Sequence, residues 1–343
     1  MGVNLRDIII RKPITLEELK GKIIVIDSFN ILFQFLTTIR SREGNLLTDS
    51  KGNVTSHLIG LFSRTANFMQ HGIKPVFVFD GVHPELKHKE IERRIEIKQE
   101  AQKKYEQAKA QEDVELMKKY AARTTRLTPQ MIDEAKKLVT LLGLPVIQAP
   151  SEGEAQASFI VKQGDGWAVS SQDYDSILYA TPRLIQNLSI AGKRKKTKTL
   201  ATVIVSPELI DLKENLQNLD VTQDQLIAIA MLVVTDYNIG GVKGIGPKNA
   251  IKLVKKHGLN FEQLFEEVKW SEHCETSWRD VFKMFKEMPV EKEYKIKFNS
   301  VDVEGLKKFL IEERDFGAER VEKTLEPLLK QEKNKNQKGL FDF

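Results

Sequence analysis

Two pairs of carboxylates, each with a spacing of two residues, lie about twenty positions apart in the chain. Glu152 and Glu154 lie in "PSEGEAQASF", and Asp173 and Asp175 lie in "SSQDYDS". Sets of carboxylate oxygens suit hard cations such as Mg²⁺ or Mn²⁺. Two such ions about 4 Å apart can activate a water molecule and stabilise a leaving oxygen, which is the chemistry of phosphodiester hydrolysis. The two pairs therefore indicate a metal site with hydrolytic chemistry.

The first pair also has a purely structural interpretation. Ser151 followed by Glu154 has the form of a capping box, in which the serine caps a helix and the glutamate returns a hydrogen bond to it. Acidic residues at a helix start are further favoured by the helix dipole. A capping box accounts well for Glu154, only loosely for Glu152 and not at all for the aspartates. Both interpretations stay open from these residues alone.

Three apolar, β-rich segments lead into the aspartates. "KIIVIDS" contains Asp27, "KPVFVFDG" contains Asp80, and "GWAVSSQDYD" contains Asp173 and Asp175. Helical patterns separate these segments, and the alternation predicts an α/β fold with a mostly parallel central sheet and helices on both faces. In such sheets ligands bind beyond the carboxyl ends of the strands. The aspartates are therefore expected at one rim of the sheet.

The remaining acids are expected at the same rim. Glu152 and Glu154 follow "LLGLPVIQAP", which predicts a short strand and then a helix start, and Asp236 follows the buried helix "QLIAIAMLVVTDYN". Carboxylates so close together repel one another, because two unit charges 4 Å apart interact by ~4 kcal/mol at an effective dielectric of 20. A cation must offset this repulsion. Neither a histidine nor a cysteine is expected among the ligands, which again favours Mg²⁺ or Mn²⁺.

Composition limits the class of protein. The 343 residues with 41% hydrophobic content predict a folded chain with a sizeable core. No apolar run approaches the roughly 20 residues that span a bilayer, and the N-terminus lacks a secretion signal, so we expect a cytoplasmic protein without membrane contact. Cys274 is the single cysteine, which excludes an internal disulfide and a cysteine-based zinc site. The net charge of +5 is compatible with binding to nucleic acid.

The segment from 85 to about 126 is almost continuously charged, with a thin apolar periodicity. Such a segment usually forms a solvated pair of helices with ion pairs between successive turns. It begins a few residues after Asp80, so its first basic residues are expected near the acidic rim.

Two further basic segments are candidates for contact with phosphate. Residues 183 to 205 predict two strands joined by the basic loop "KRKKTK", which is either a solvated turn or a phosphate contact. "GGVKGIGPKNAIKLVKKHG" predicts a glycine-rich hairpin that opens a helix at Pro247, with Lys248 in its first turn. Exposed amides at a helix start bind phosphate, and glycines permit close approach of the backbone.

Together these motifs resemble those of the flap endonucleases, in the structure-specific 5′ nuclease family, and of archaeal members more than eukaryotic ones. The resemblance extends over nearly the whole chain. It is carried by "MGVNLRDII", "VIDSFN", "LTDSKGNVTSHLIG", "VFVFDGVHPELK", "APSEGEAQAS", "SQDYDS", "TDYN", "GVKGIGPKNA" and "QKGLFDF". The combination is specific, whereas a single motif such as "GIGP" occurs in many DNA-binding proteins.

The resemblance implies a two-metal site with Mg²⁺, for which Mn²⁺ is a possible substitute. One ion would be surrounded by Asp27, Asp80, Glu152 and Glu154, and the second would be served by Asp173, Asp175 and Asp236. Lys87 and Arg94 match the basic pair that contacts the scissile phosphate in the family. The residues implied in catalysis are Lys87, Arg94, Asp27, Asp80 and Glu152.

The resemblance also implies sites for DNA, for K⁺ and for a protein partner. The positions expected to contact DNA are Gly2, Phe33, Lys193, Arg194, Lys195, Lys196, Gly244, Gly246 and Lys248. The hairpin from Gly240 to Ala250 resembles a helix-two-turn-helix element that holds K⁺, but a side-chain ligand found in some relatives is absent here, so the K⁺ site stays open. The tail resembles a motif that binds the DNA sliding clamp, with Gln337, Leu340, Phe341 and Phe343.

The resulting prediction is a single nuclease domain over 1–330, with a helical gateway and cap at about 85–126. A helix-two-turn-helix element at about 226–258 belongs to it, and a flexible clamp-binding tail covers 331–343. The predicted function is a 5′ flap endonuclease of DNA replication, in Okazaki fragment maturation, and of repair, with possible 5′–3′ exonuclease activity and a monomeric state when alone. Two alternatives are a related 5′ nuclease for bubbles or duplex ends and a non-catalytic scaffold that binds DNA junctions and the clamp.

Overall fold

A computed structural model of the chain describes residues 3, 5–41, 44–190, 192–195 and 202–338. Some positions expected to contact DNA or the clamp lie outside the described residues: Gly2, Lys196, Leu340, Phe341 and Phe343. In the described part, seven strands form one central sheet and two strands form a separate hairpin.

The central sheet is mostly parallel, as the sequence predicts. The strands in chain order are β1 (Lys12–Pro13), β2 (Ile23–Asp27), β3 (Lys74–Phe79), β4 (Val146–Gln148), β5 (Ala168–Ser170), β6 (Arg183–Gln186), β7 (Gly192–Lys195), β8 (Thr202–Val205) and β9 (Glu208–Asp211). Across the sheet the order is β1-β9-β6-β5-β2-β3-β4. Strands β4, β3, β2, β5 and β6 run parallel. At one edge β9 pairs antiparallel with β6, and β1 pairs antiparallel with β9.

Helices connect the strands and cover the sheet. They are α1 (Ser28–Thr38), α2 (Ser56–Gln70), α3 (His88–Ala110), α4 (Val114–Ala121), α5 (Pro129–Leu141), α6 (Gly153–Lys162), α7 (Asp175–Leu178), α8 (Leu212–Leu219), α9 (Gln223–Val233), α10 (Pro247–His257), α11 (Phe261–Glu267), α12 (Trp270–His273), α13 (Trp278–Glu287), α14 (Val303–Lys307) and α15 (Ala318–Lys338). None of the helices in the described part of the chain combines the length and apolar composition needed to cross a bilayer.

Both faces of the sheet are buried, which confirms the prediction of helices on each side. In β2, Val25 belongs to one core cluster and its neighbours Ile24 and Ile26 belong to the other. The alternation follows from the strand geometry, in which successive side chains point to opposite faces. The first cluster packs against α6, α7 and α9, and the second packs against α1, α2 and α5. The sheet is thus held rigidly between two layers, which fixes the ends of its strands.

The charged segment after β3 forms a pair of helices, as predicted. A short 3-10 helix over Glu85–Lys87 leads into α3, which is 23 residues long, and α4 returns against it. The buried residues of α3 are Glu90, Ala101 and Ala108, so this helix contributes little apolar area to the core. Most of its charged side chains face solvent, and its stability depends on ion pairs and on its contacts with α4.

Two details of the predicted organisation are wrong. The segment 183–205 contains three strands rather than two, because β6 joins the central sheet while β7 and β8 pair with each other. The basic residues at 193–195 lie in β7 rather than in a loop, and residues 196–201 lie outside the described part of the chain. Near the C-terminus, α15 continues to Lys338 and includes the backbone of Gln337, so the boundary predicted after residue 330 falls inside a helix.

Candidate active site

The carboxyl ends of three neighbouring parallel strands bring the aspartates together. Asp27 is the last residue of β2, Asp80 directly follows β3, and Asp173 lies three residues beyond the end of β5. Because β2 pairs with both β3 and β5, these three positions share one rim of the sheet. Asp27 also caps α1, since its Oδ1 accepts a hydrogen bond from the Asn30 amide at 3.1 Å. The rim predicted from the sequence is therefore present.

The start of α6 brings the two glutamates to this rim and excludes the capping box. Glu152, not Ser151, is the N-cap residue, and its side chain accepts no capping hydrogen bond. The Ser151 hydroxyl instead donates to the Val82 carbonyl oxygen at 3.0 Å. Glu154 accepts a hydrogen bond from the Ser171 hydroxyl at 3.1 Å. Both glutamate side chains are thus directed to the cluster rather than to the helix end.

Gly153, between the two glutamates, leaves the space that Asp80 occupies. Its amide donates to Asp80 Oδ1 at 3.0 Å, and a Cβ atom added at Gly153 would overlap with the same oxygen. The glycine in "SEGE" is therefore needed for the close approach of the backbone to a carboxylate.

We expect Gly153→Ala to displace the Asp80 carboxylate and to weaken Mg²⁺ binding at least about tenfold. Alanine favours a helix more than glycine does, so the melting temperature in chelator should not fall substantially. Calorimetric titration with Mg²⁺ tests this prediction. Gly317→Ala is the matched control, because a Cβ there meets nothing within 4 Å. Unchanged Mg²⁺ affinity in Gly153→Ala would show that Asp80 can move without cost to the site.

Two polar residues that the sequence analysis missed connect the acids. The Ser171 hydroxyl lies 3.0 Å from Asp27 Oδ2 and also contacts Glu154. Asn30 donates from Nδ2 to Asp173 Oδ2 at 3.1 Å and accepts from the Gln172 amide at 3.2 Å. Their only signal in the sequence is proximity, since each stands two or three residues from a predicted ligand.

Asp175 and Asp236 complete the cluster. Asp175 opens α7 and its Oδ1 accepts from the Val3 amide at 3.1 Å, which ties the N-terminal segment to the site. Asp236 lies in the loop after α9. The charges of Asp236 and Asp173 both act on Asp175, and that of Asp175 acts on Glu154. The structure thus brings all seven predicted carboxylates into one network.

Burial opposes the ionisation of four of the seven carboxyl groups. Burial, followed by the charge of Asp80, raises the pKa of Asp27 to about 8. Burial and the charge of Glu152 raise the pKa of Asp80 to about 6, and burial and Asp236 raise the pKa of Asp175 to about 7. Burial also raises the pKa of Glu154 well above its usual value. A cation bound among these carboxyl groups would therefore favour their ionised forms.

Lys87 and Arg94 reach into the cluster from the gateway. Lys87 Nζ lies 2.5 Å from Glu152 Oε2 and 3.3 Å from Asp236 Oδ2. The Arg94 guanidinium donates to both carboxylate oxygens of Asp236, at 2.9 and 2.8 Å. Its Nε donates to the buried Glu90 at 2.7 Å, which holds the guanidinium in place. The basic pair implied by the resemblance is therefore on the same side as the acids.

The contacts with neighbouring carboxylates keep Lys87 and Arg94 protonated. Burial lowers the pKa of Lys87, but the charges of Glu152 and Asp236 outweigh it and hold the pKa above its usual range. For Arg94, burial is likewise outweighed by Asp236 and Glu90, so its pKa is also raised. Both side chains carry a positive charge where a phosphate would meet the acids.

A histidine is present in the cluster, which corrects the expectation of a site without one. His83 Nδ1 lies 3.3 Å from Glu152 Oε1. Burial raises the pKa of Glu152, but the hydrogen bond from His83 and the charge of Lys87 outweigh it, so this pKa is lowered. The ligand atoms of Asp80, His83 and Glu152 all lie within 4.8 Å of one another.

The donor set fits divalent cations. Seven carboxyl groups converge, several of them buried, and Lys87 and Arg94 offset only part of their charge. Buried carboxylates are costly unless they are paired or bind a metal ion. Oxygen donors in this number match the coordination of Mg²⁺ or Mn²⁺. The residues of the cluster could therefore hold such ions.

Residues expected to contact DNA lie on other elements. Phe33 is on α1, and Lys98 Nζ of α3 lies 5.2 Å from the centre of its ring. Gly246 is the N-cap of α10, and the exposed Lys248 lies in the first turn of that helix. Gly244 has a φ of +84°, a left-handed conformation that favours glycine. The backbone positions of Lys193, Arg194 and Lys195 are in β7.

Comparisons with known proteins show which family the chain is similar to. The XPG N-terminal domain model matches residues 1–101, and the XPG I-region model matches residues 143–236. The protein named flap endonuclease 1 of Staphylothermus marinus is 47% identical over 334 residues, covering 96% of this chain and 95% of the relative. That of Pyrococcus abyssi is 48% identical over 330 residues, covering 96% and 94%. The solved structure of flap endonuclease-1 from Methanococcus jannaschii superimposes with a TM-score of 0.76 at 42% identity, covering 97% of this chain and all of that one.

Proposed function

The chain belongs to the flap endonuclease 1 family of XPG-type nucleases, and we propose from this membership how its residues bind and cut DNA. It is a structure-specific 5′ flap endonuclease of DNA replication and repair. The reaction proposed is hydrolysis of a phosphodiester where a single-stranded 5′ flap joins the duplex.

The observation that carries the proposal is the convergence of the seven carboxylates at one rim. Three come from the ends of β2, β3 and β5, two from the start of α6, and two from α7 and the loop after α9. A scaffold that only binds DNA has no use for such a cluster, because the repulsion among buried acids reduces stability. Such a cluster is therefore expected only in a protein whose acids take part in a reaction.

We propose that the cluster holds two Mg²⁺ ions, with Mn²⁺ able to replace them. Asp27, Asp80, Glu152 and Glu154 would surround one ion, and the other would be held by Asp173, Asp175 and Asp236. Such ions, when bound, lower the pKa of water and offset the charge of the leaving oxygen. Asn30 and Ser171 orient the ligands through their hydrogen bonds to Asp173, Asp27 and Glu154.

Lys87 and Arg94 would position the scissile phosphate. Both are held beside the acids by Glu152 and Asp236, so a phosphate that enters the site meets two fixed positive charges. These charges offset the negative charge that develops on the phosphate in the transition state. The flap strand would pass under α3 and α4, the gateway and cap of the proposed substrate path.

The duplex would be held by elements remote from the chemistry. The amides at the start of α10 and the nearby Lys248 suit a phosphate of the backbone, and Phe33 offers a ring for stacking on a base. The basic residues of β7 would make further contacts with the backbone. A K⁺ ion at the glycine-rich hairpin, 5′–3′ exonuclease activity, binding of the sliding clamp, a monomeric state and a cytoplasmic location remain predictions from the sequence.

Cleavage of an end-labelled 5′-flap duplex tests the proposed function. We expect one main cut near the junction in Mg²⁺, no cut in chelator, and much slower cleavage of nicked or blunt duplexes of the same sequence. Preferred cleavage of a bubble or duplex end would instead assign the chain to another 5′ nuclease activity. Tight binding of the flap without a cut in Mg²⁺ or Mn²⁺ would favour the scaffold.

A further inference from the structure

His83 stands in the turn between β3 and the gateway, three residues after Asp80. Its Nδ1 atom faces Glu152 Oε1 at 3.3 Å, and its ligand atom lies within 4.8 Å of those of both Asp80 and Glu152. The side chain is 37% exposed, so one edge of the ring faces the cluster and another faces solvent. The proposed two-ion site, built from oxygen ligands alone, leaves this imidazole without a role.

We infer that His83 is a nitrogen ligand of the ion held by Asp80 and Glu152, and that this centre favours Mn²⁺ over Mg²⁺. The inference rests on the proposed function and deepens it. In octahedral coordination with bonds of about 2.1 Å, adjacent ligand atoms lie about 3 Å apart and opposite ones about 4.2 Å. The 3.3 Å between His83 Nδ1 and Glu152 Oε1 is close to the spacing of adjacent ligands, and the ligand atoms of all three residues lie within 4.8 Å of one another.

The backbone just before His83 is fixed against the segment that leads into α6. The Gly81 amide donates to the Ser151 carbonyl at 2.7 Å, and the Val82 amide donates to the Pro150 carbonyl at 3.1 Å. The Ser151 hydroxyl returns a hydrogen bond to the Val82 carbonyl. A Cβ atom at Gly81 would overlap with this backbone, so the packing is tight. His83 therefore follows a turn that is hydrogen-bonded to Pro150 and Ser151, directly before Glu152.

The choice of ion follows from the chemistry of the donor. Carboxylate oxygens accept Mg²⁺ and Mn²⁺ alike, whereas imidazole nitrogen suits transition metals better than Mg²⁺. One histidine among carboxylates therefore adds affinity for Mn²⁺ and little for Mg²⁺. The alternative is that His83 serves only as a hydrogen-bond partner that orients Glu152, in which case the two ions would be affected equally.

Pulsed electron paramagnetic resonance of the full-length protein with Mn²⁺ tests the inference. We expect a ¹⁴N modulation from the coordinated imidazole in the wild-type protein and its loss in His83→Gln. The same variant should bind Mn²⁺ about tenfold more weakly by titration, with a change below about threefold for Mg²⁺ measured by competition. His88→Gln is the matched control, because His88 is exposed at the first residue of α3.

The outcomes separate this inference from the proposed function. A wild-type spectrum without nitrogen modulation, or equal weakening of both ions in His83→Gln, overturns His83 as a ligand and leaves the carboxylate site intact. Unchanged spectra and affinities in His83→Gln overturn it as well. Failure of the proposed function has a different signature, namely that the wild-type protein cuts no flap in Mg²⁺ or Mn²⁺.

Discussion

Asp27→Asn is expected to reduce flap cleavage by about a thousandfold and, in chelator, to unfold at a higher temperature than the wild-type protein. The first effect follows because Asp27 lies at the centre of the rim, between the ends of β3 and β5. The second follows because asparagine keeps the cap on α1 and the contact with Ser171 while removing a charge from the buried cluster. Loss of activity with a gain in stability distinguishes a functional acid from a structural one.

The stability effect has a defined dependence on pH. Unfolded aspartates titrate near pH 4, whereas the pKa of Asp27 in the fold is about 8 and that of Asp175 about 7. The folded state therefore holds protons that the unfolded state releases. This contribution to stability is fully present below about pH 4 and is lost as the pH rises towards 8. In chelator, the wild-type protein should become less stable over this window, and Asp27→Asn should lose less.

Thermal unfolding between pH 5 and 8.5, with and without Mg²⁺, tests the effect of Asp27→Asn on stability and the dependence of that effect on pH. At pH 8 in chelator we expect a gain on the order of 2 kcal/mol for Asp27→Asn, and in excess Mg²⁺ a loss relative to the wild-type protein. Asp211→Asn is the matched control, because Asp211 also ends a strand and caps a helix, α8, through a hydrogen bond to the Glu214 amide. Equal shifts with and without Mg²⁺ would contradict a role of Asp27 in metal binding.

The sequence was sufficient for the residues whose position follows from strand order. Asp27 and Asp80 each end a buried strand, and parallel strands place such residues at one rim whatever the length of chain between them. The helices α3 and α4 were also predictable, since the charged segment that forms them has a helical periodicity. What the sequence could not give is the partner of each side chain. Asn30 contacts Asp173 across 143 positions, a distance at which only the completed sheet determines the neighbour.

The choice between the two interpretations of the start of α6 depends on tertiary contacts in the same way. Ser151 and Glu154 match a capping box locally, but the Ser151 hydroxyl is used by Val82 of the turn after β3. The same turn brings His83 to Glu152, so local patterns alone could neither reveal the histidine nor decide against the capping box. The Ser151 hydroxyl thus forms a hydrogen bond with a segment distant in sequence instead of capping the helix that follows it. The misplaced strands in 183–205 likewise reflect pairing partners that composition does not specify.

Lys87→Met is the second variant with a large expected effect, and its effect on stability has the opposite sign. The ammonium is nearly buried between Glu152 and Asp236, and methionine keeps most of the side-chain volume while removing the charge. Two buried carboxylates then lose a cationic partner, so we expect a loss of about 2 to 4 kcal/mol in chelator. The rate of flap cleavage should fall by about a hundredfold to a thousandfold. This is the typical loss when one hydrogen-bond donor that stabilises the charge of a transition state is removed.

Single-turnover cleavage over a range of Mg²⁺ concentrations separates two roles of Lys87. If the ammonium acts on the scissile phosphate, the rate of Lys87→Met stays low when Mg²⁺ is saturating, although Mg²⁺ restores thermal stability. If the ammonium only holds Glu152, saturating Mg²⁺ should restore the rate as well, which would remove Lys87 from the catalytic residues. Lys89→Met is the matched control, because Lys89 lies two residues further on and pairs at the surface with Glu275. A change of less than about twofold is expected there, since exposed ion pairs contribute little.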